Sequence, residues 1–192
     1  QALEHYYGSG TRMRKEVGQS PDEVFDLVDE NDRVIGSLPR SEIHRQQLRH
    51  RAIHIFWLRG DGQLCLQRRS YAKDNCPGLI STSCAGHVDS GENYPMAAVR
   101  ELHEEIGLRV PLEALIEIDY APCHANLGHE FVRSYLLRGD FTPQLGRTEV
   151  DSLLWRQPAE LDAWMRRFPE AFALPLRYLY QRPAVRQALG LA

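Results

Sequence analysis

The run GHVDSGENYPMAAVRELHEEIGL, Gly86–Leu108, is the stretch on which the fold turns. Asn93 can cap a helix, Pro95 is tolerated in its first turn and Gly107 supplies the residue that ends it, so the spacing predicts a helix from about residue 94 to 106. At about 100° per residue, Val99, Leu102 and Ile106 form one apolar stripe, while Glu101, Glu104 and Glu105 cluster on the opposite side. Three carboxylates within one turn repel one another by about 4 kcal/mol per close pair at an effective dielectric of roughly 20, before screening. A cation is therefore expected among them. Arg100 can offset one charge, but oxygen-only donors beside a glycine loop suit a hard divalent cation such as Mg²⁺. A merely solvated acidic face is the better reading of an isolated E-x-x-E-E. It does not suit this segment, whose specified positions would coincide by chance in roughly one window in 10⁹ at ordinary residue frequencies.

Strand signals flank the helix on both sides. Val24–Val28 and Val34–Gly36 read as a hairpin around Asp29–Asp32, and Ser41, preceded by Pro39, could cap a short helix over 42–48. Ala52–Leu58 and Gln63–Arg68 flank Arg59-Gly60-Asp61-Gly62, whose Asp-Gly is a strong turn signal. Residues 70–83 are turn-rich. Further strands are expected at 113–121, 130–138 and 150–156, a helix over Glu160–Arg167, and helical pieces over 170–189 broken near Pro175 and Pro183. Residues 1–20 have no periodicity and are expected to form a flexible N-terminal segment, within which Met13 is a candidate start; residues 21–192 are expected to form one domain.

Composition narrows the class. With 192 residues, 43% hydrophobic and 26% charged, the chain can bury a core without disulfides or metal staples. Cys65, Cys76, Cys84 and Cys123 show no CxxC spacing and read as reduced thiols. No apolar run approaches the roughly 20 residues needed to span a bilayer, and no secretory leader is evident, so a cytoplasmic location is expected. A net charge of -3 gives no general pull toward nucleic acid or anionic membrane. Exposed edge strands near the N-terminus would permit a homodimer.

Residues 86–108 match GX5EX7REUXEEXGU, with U aliphatic, at every specified position, and on those residues the chain resembles the Nudix superfamily. The stretches FDLVDE (25–30), HRA (50–52), QRRS (67–70), Pro77-Gly78 and AGHV (85–88) look like the branch that contains isopentenyl-diphosphate isomerases and their hydrolase relatives; about residues 22 to 156 fit. The resemblance implies an α/β (α+β) fold, an α/β/α sandwich with a mixed sheet between helices. It implies Mg²⁺, with Mn²⁺ as a substitute, held by Glu101, Glu104 and Glu105. Arg100 becomes an orienting salt-bridge partner, Glu92 an auxiliary carboxylate, and Gly86 the residue that lets the loop approach.

Other residues carry weaker signals. Glu149, six positions before Trp155, fits the extra carboxylate that Nudix hydrolases often recruit as base or metal ligand, and Glu130, beside His129, is the other candidate. His87 follows Gly86 as in the Gly-His pair that supplies a metal-binding histidine in the isomerases, and His50 and His54 lie near the segment that supplies others. Each of these histidines alone reads as a surface or satisfied residue rather than a ligand. Arg68 and Arg69 could contact diphosphate, since one of two successive strand residues faces a cleft. Trp57, Tyr120 and Phe131 could stack on a base, but at strand spacing they also suit a core. The isomerase cysteine directly precedes the glycine of Gly-His; here Ala85 stands there and Cys84 lies one residue earlier, which on a strand turns the side chain to the other face.

These readings converge on Mg²⁺-dependent hydrolysis of a diphosphate linkage X-P-P-Y in a nucleoside-diphosphate-type small molecule, with Glu101, Glu104, Glu149 and Arg100 as the catalytic set and Arg68, Arg69, Gly86 and His87 on the substrate. An isopentenyl-diphosphate isomerase is the alternative enzyme, and a non-catalytic ligand sensor on the same fold the alternative class, which would have little use for all three box acids.

Overall fold

The computed structural model describes residues 23–71, 77–145 and 150–192; the expected N-terminal segment 1–20 and Glu149 lie outside the described residues. Strands β1 (Val24–Val28) and β2 (Val34–Pro39) pair antiparallel, as their apolar runs predict. The Asp29 carboxylate tightens the turn by accepting from Asn31 N at 2.8 Å and Arg33 N at 3.0 Å, and Asp32 takes a positive φ of 59°. Helix α1 spans Arg40–Arg45, earlier than the 42–48 expected. Pro39, already at φ -58°, stands at its N-cap position without a side-chain bond, so Ser41 falls inside the first turn and does not cap it.

Strand β3 (His50–Leu58) organises the rest. It runs parallel to β8 (Glu130–Arg138) along its whole length, from His50 beside Glu130 to Leu58 beside Arg138. The Asp-Gly turn joins β3 to β4 (Leu64–Arg69), but they pair only at Leu58 and Leu64. Beyond that point β3 takes β6 (Cys84–His87) and β4 takes β9 (Val150–Arg156) as antiparallel partners. Two short strands that the sequence does not predict lie in and just after the turn-rich stretch, β5 (Ile80–Ser81) and β6 (Cys84–His87). Helix α2 is Tyr94–Ile106, capped by Asn93 Oδ1 accepting from Met96 N at 2.9 Å and closed by Gly107 at φ 71°. A 3-10 turn at Leu112–Ala114 precedes β7 (Leu115–His124), which pairs antiparallel with β8 (Glu130–Arg138). After β9 (Val150–Arg156) come α3 (Pro158–Arg167), α4 (Leu174–Tyr180) and α5 (Pro183–Ala188). Pro175 and Pro183 sit in the first turns of α4 and α5, where a missing N–H costs nothing, so the prolines begin helices rather than break them.

The sheet order is β5-β4-β3-β8-β7, with β6 added to β3 and β9 to β4, and two cores cover its faces. Alternation along β3 sends Ile53, Ile55 and Trp57 toward α2, with Val99, Leu102 and Ile106, and sends Ala52, Phe56 and Leu58 toward α3, α4 and α5, with Leu161, Leu176 and Leu179. This is the α/β/α sandwich with a mixed sheet that the sequence predicts. Among the described residues no helix is long and apolar enough to cross a membrane.

Candidate active site

The acidic face of α2 is more differentiated than its helical projection suggests. Glu104 is exposed and Glu101 half-buried, but Glu105 is only 2% exposed. The expectation that the three acids share one outward face is corrected on this point: Glu105 lies about 60° from Leu102 around the helix, which places it at the margin of the buried stripe. There its Oε1 accepts from the Ala85 amide at 3.2 Å and from the Gln67 amide nitrogen. Glu105 is thereby anchored to β6 and β4, and Glu101 presses on the same strand, because Gly86 has no side chain to hold it off.

Arg100 is the hub. Its guanidinium donates to Glu92 Oε2 at 2.8 Å, Glu101 Oε1 at 2.7 Å and Glu104 Oε2 at 3.2 Å, and to the His87 carbonyl at 2.9 Å. Burial would lower its pKa, but the charges of Glu101, Glu92 and Asp89 outweigh that and hold it above its ordinary value. Glu92 also accepts from Asp89 N at 2.9 Å, which folds the loop back over the helix start. The loop is tied to β1 as well, through Asp26, which receives Ser90 Oγ at 2.8 Å and Gly91 N at 3.3 Å.

A second cluster lies on the opposite side of β6. His44 of α1, His50 of β3 and His87 of β6 bring their ligand atoms within 4.8 Å of one another. The Glu130 Oε1 atom lies 3.2 Å from His50 Nε2 and 2.8 Å from His87 Nε2. His50 Nδ1 sits 2.9 Å from the Leu48 carbonyl, which can only accept, so in a neutral His50 the proton is on Nδ1 and Nε2 is a bare lone pair. A bare lone pair facing a carboxylate oxygen needs a cation between them, either a proton or a metal. Burial alone would raise the Glu130 carboxyl, but His87 and His50 more than offset it and hold it below the usual range. Burial, with the neighbouring charges of His87, Arg40 and His50, lowers His44 to about 4. Phe25 closes the cluster from the hairpin side, its ring 4.5 Å from that of His87 and stacked on His50 at 5.8 Å.

Two kinds of cation therefore fit. The box acids offer oxygen donors suited to Mg²⁺, and the histidines with Glu130 offer a nitrogen-rich set suited to Mn²⁺, Co²⁺ or Zn²⁺. The sequence points to His50, His87 and Glu130 but passes over His44, whose signal is its position six residues before His50, across the end of α1. His54, expected near the metal-binding histidines, is not in the cluster; its Nδ1 bonds Thr82 Oγ1 at 2.8 Å.

The remaining sequence candidates are placed as follows. Arg68 and Arg69 are both half-buried on either side of a bulge in β4, with Arg68 donating to the Gly78 carbonyl at 3.3 Å. Trp57 is fully buried and bonded to the Gly139 carbonyl at 2.8 Å, so it stacks on no base. Phe131 is 5% exposed, and Tyr120 donates to Asp32 at 2.7 Å. Cys84 is buried in the α2 core, whereas Ala85 is half-exposed opposite His54, so the one-residue shift does turn the thiol away.

Comparison with known proteins follows this geometry. Residues 48–177 match the family model described as the NUDIX domain. The chain is 36% identical over 155 residues to the isopentenyl-diphosphate Delta-isomerase of Serratia proteamaculans, spanning 80% of this chain and 87% of that one. It is 34% identical over 146 residues to a Nudix hydrolase of Nostoc, spanning 76% and 86%. Among solved structures, DR0079 from Deinococcus radiodurans superposes with a TM-score of 0.69 at 30% identity, over 83% of this chain and 100% of that one.

Proposed function

This chain belongs to the Nudix family, and from that membership we propose that it is a divalent-metal-dependent pyrophosphohydrolase acting on a small molecule with a diphosphate linkage. The observation that carries this reading is the convergence of Glu92, Glu101 and Glu104 on Arg100, with Glu101 against the bare Gly86 and Glu105 on the Ala85 amide. Glu101, Glu104 and Glu105 would hold Mg²⁺, which when bound neutralises phosphate charge and acidifies water. Arg100 keeps the acids aimed at the edge of β6. Arg68 and Arg69, half-buried on β4, are the cations offered to the diphosphate in this reading, with Gly86 and His87 as the neighbouring substrate positions. Glu149 is the candidate base, since the Glu130 carboxylate is already engaged by two histidines.

The histidine cluster favours a second reading, isopentenyl-diphosphate isomerase, the reaction for which relatives such as the Serratia protein are named. Against it stands Ala85, since a methyl group at the position of the isomerase cysteine cannot exchange a proton with carbon. Phosphate release from a panel of nucleoside diphosphates, dinucleotides, nucleotide sugars, coenzymes and isopentenyl diphosphate separates the two, with isomerisation assayed on the last. Mg²⁺-dependent release that is lost in Glu104→Gln, a variant that folds normally, is the expected result; isomerised product without release would replace the hydrolase reading with the isomerase one.

A further inference from the structure

A cavity of about 570 Å³ opens among α3, α4, the link from α4 to α5, and the 3-10 turn at Ala125–Leu127. Asp162, Met165 and Arg166 on α3 are spaced i, i+3 and i+4, and so are Leu174, Arg177 and Tyr178 on α4, so each helix turns one narrow face to it. Both helices pack on the sheet face opposite α2, which keeps the cavity apart from the box acids. Its volume suits a small organic molecule.

The wall is cationic in a chain whose net charge is -3. Arg166, Arg177 and Arg182 line it against one carboxylate, Asp162. Asp162 is already engaged: it accepts from Arg186 Nη1 at 3.1 Å and Nη2 at 3.2 Å and from Arg166 Nη2 at 2.9 Å, and the Arg186 bonds above all hold its pKa below the ordinary value. Arg182 is bonded through Nε to Asp119 and through Nη2 to the Tyr120 carbonyl at 3.4 Å. Even with Asp119 and Arg186 counted, two positive charges are left in excess. Arg177 is the cation without a counterpart: its half-buried side chain makes no hydrogen bond or ion pair among the described residues. A charge partly withdrawn from water and left unpaired is unfavourable unless an anion enters to match it. Beside the cations stand Met165, Leu174, which is 48% exposed, and the Tyr178 ring, stacked on His124 at 4.5 Å.

We propose that this cavity is a binding site, separate from the box acids, for a small organic oxyanion. The head group, a phosphate or carboxylate, pairs with Arg177 and takes further N–H donors from Arg166 and Arg182, whose present bonds leave some of their five unspent. The apolar body covers Met165, Leu174 and Tyr178. An inorganic anion would leave that surface bare and a neutral molecule would leave Arg177 unpaired, so tight binding requires both parts. The site does not depend on which reaction the box acids carry out.

Titration calorimetry on the full chain with Mg²⁺ present tests this with phenylphosphonate and benzoate, against benzyl alcohol as the neutral analogue and inorganic phosphate as the head group alone. One of the two aromatic anions is expected to saturate a single site at least about tenfold more tightly than either control. The tighter of the two names the head group. Arg177→Gln should weaken its binding by about tenfold or more, with Tm unchanged because no bond of the folded protein is broken. Arg166→Gln, at an arginine already shared with Asp162, should weaken it by a smaller factor, and decides the matter if Arg177→Gln does not fold. Arg167→Gln, on the same helix but outside the cavity, and Glu104→Gln should leave binding within about twofold of wild type. No saturable binding below about 10 mM, an affinity unchanged in both Arg177→Gln and Arg166→Gln, or an equal loss in Arg167→Gln would overturn the site. Binding lost in Glu104→Gln and kept in Arg177→Gln would assign the anion to the box acids and their metal, and would overturn it too.

Discussion

Gly86 and Glu101 are in a contact that only a hydrogen at position 86 permits: a β-carbon built there would lie 2.2 Å from Glu101 Cδ. The Glu101 side chain could swing aside, but it would have to leave the 2.7 Å ion pair with Arg100. Gly86→Ala is therefore expected to fold with a stability loss of about 1–3 kcal/mol while Mg²⁺-dependent turnover falls by about 100-fold or more. Kinetics and thermal unfolding on one preparation check this. Turnover within a few-fold of wild type would show that the Glu101 position does not matter.

Arg100 serves four acceptors from a side chain only 9% exposed, and two of its carboxylate partners, Glu92 and Glu101, are 12% and 13% exposed. Arg100→Met leaves those charges uncompensated and should cost about 3–5 kcal/mol in urea denaturation. Arg100→Lys should recover only part of this, because one ammonium cannot reproduce the planar fork. In both variants Mg²⁺ should restore more stability than it adds to wild type, since it supplies the missing positive charge. A loss below about 1 kcal/mol would reduce the network to surface pairing.

The cluster of His44, His50 and His87 with Glu130 should distinguish metals. After chelation, Mn²⁺, Co²⁺ or Zn²⁺ is expected to raise Tm by several degrees, roughly what about 3 kcal/mol of linkage gives a domain of this size. Mg²⁺ should not substitute, because nitrogen donors suit it poorly. His87→Ala should abolish the shift. The same shift in His87→Ala, or with Mg²⁺, would place the binding elsewhere.

The parts legible in the sequence are those governed by local rules. Asn93, Pro95 and Gly107 set the limits of α2 by capping chemistry, and alternation locates β8 and β9. What local rules miss is set by tertiary pairing. Strand β6 is four residues long and owes its existence to partners on β3. The burial of Glu105 depends on Gln67 and the Ala85 amide, from strands far away in sequence. His44 becomes notable only because α1 folds it against His50 and His87. The base-stacking role considered for Trp57 fails for the same reason, since its burial between sheet and α2 is a property of layer packing.

His54 provides a pH test of its burial that is independent of catalysis. An unfolded chain takes up a proton at this residue as pH falls through about 6.5, whereas the folded protein, with the ring desolvated, does so only near 4. Between those values the unfolded state binds more protons, so this residue's contribution to stability is intact above the upper value, declines as pH falls through the window and levels off below it. The full change is on the order of 3 kcal/mol. His54→Gln removes the titration but leaves His44, Glu130 and the other groups in place. Urea unfolding at steps from pH 7.5 to 4 should therefore show the wild type losing ground to the variant across that window, by an amount of this order. Parallel stability curves would mean that the imidazole is hydrated or already charged in the folded protein.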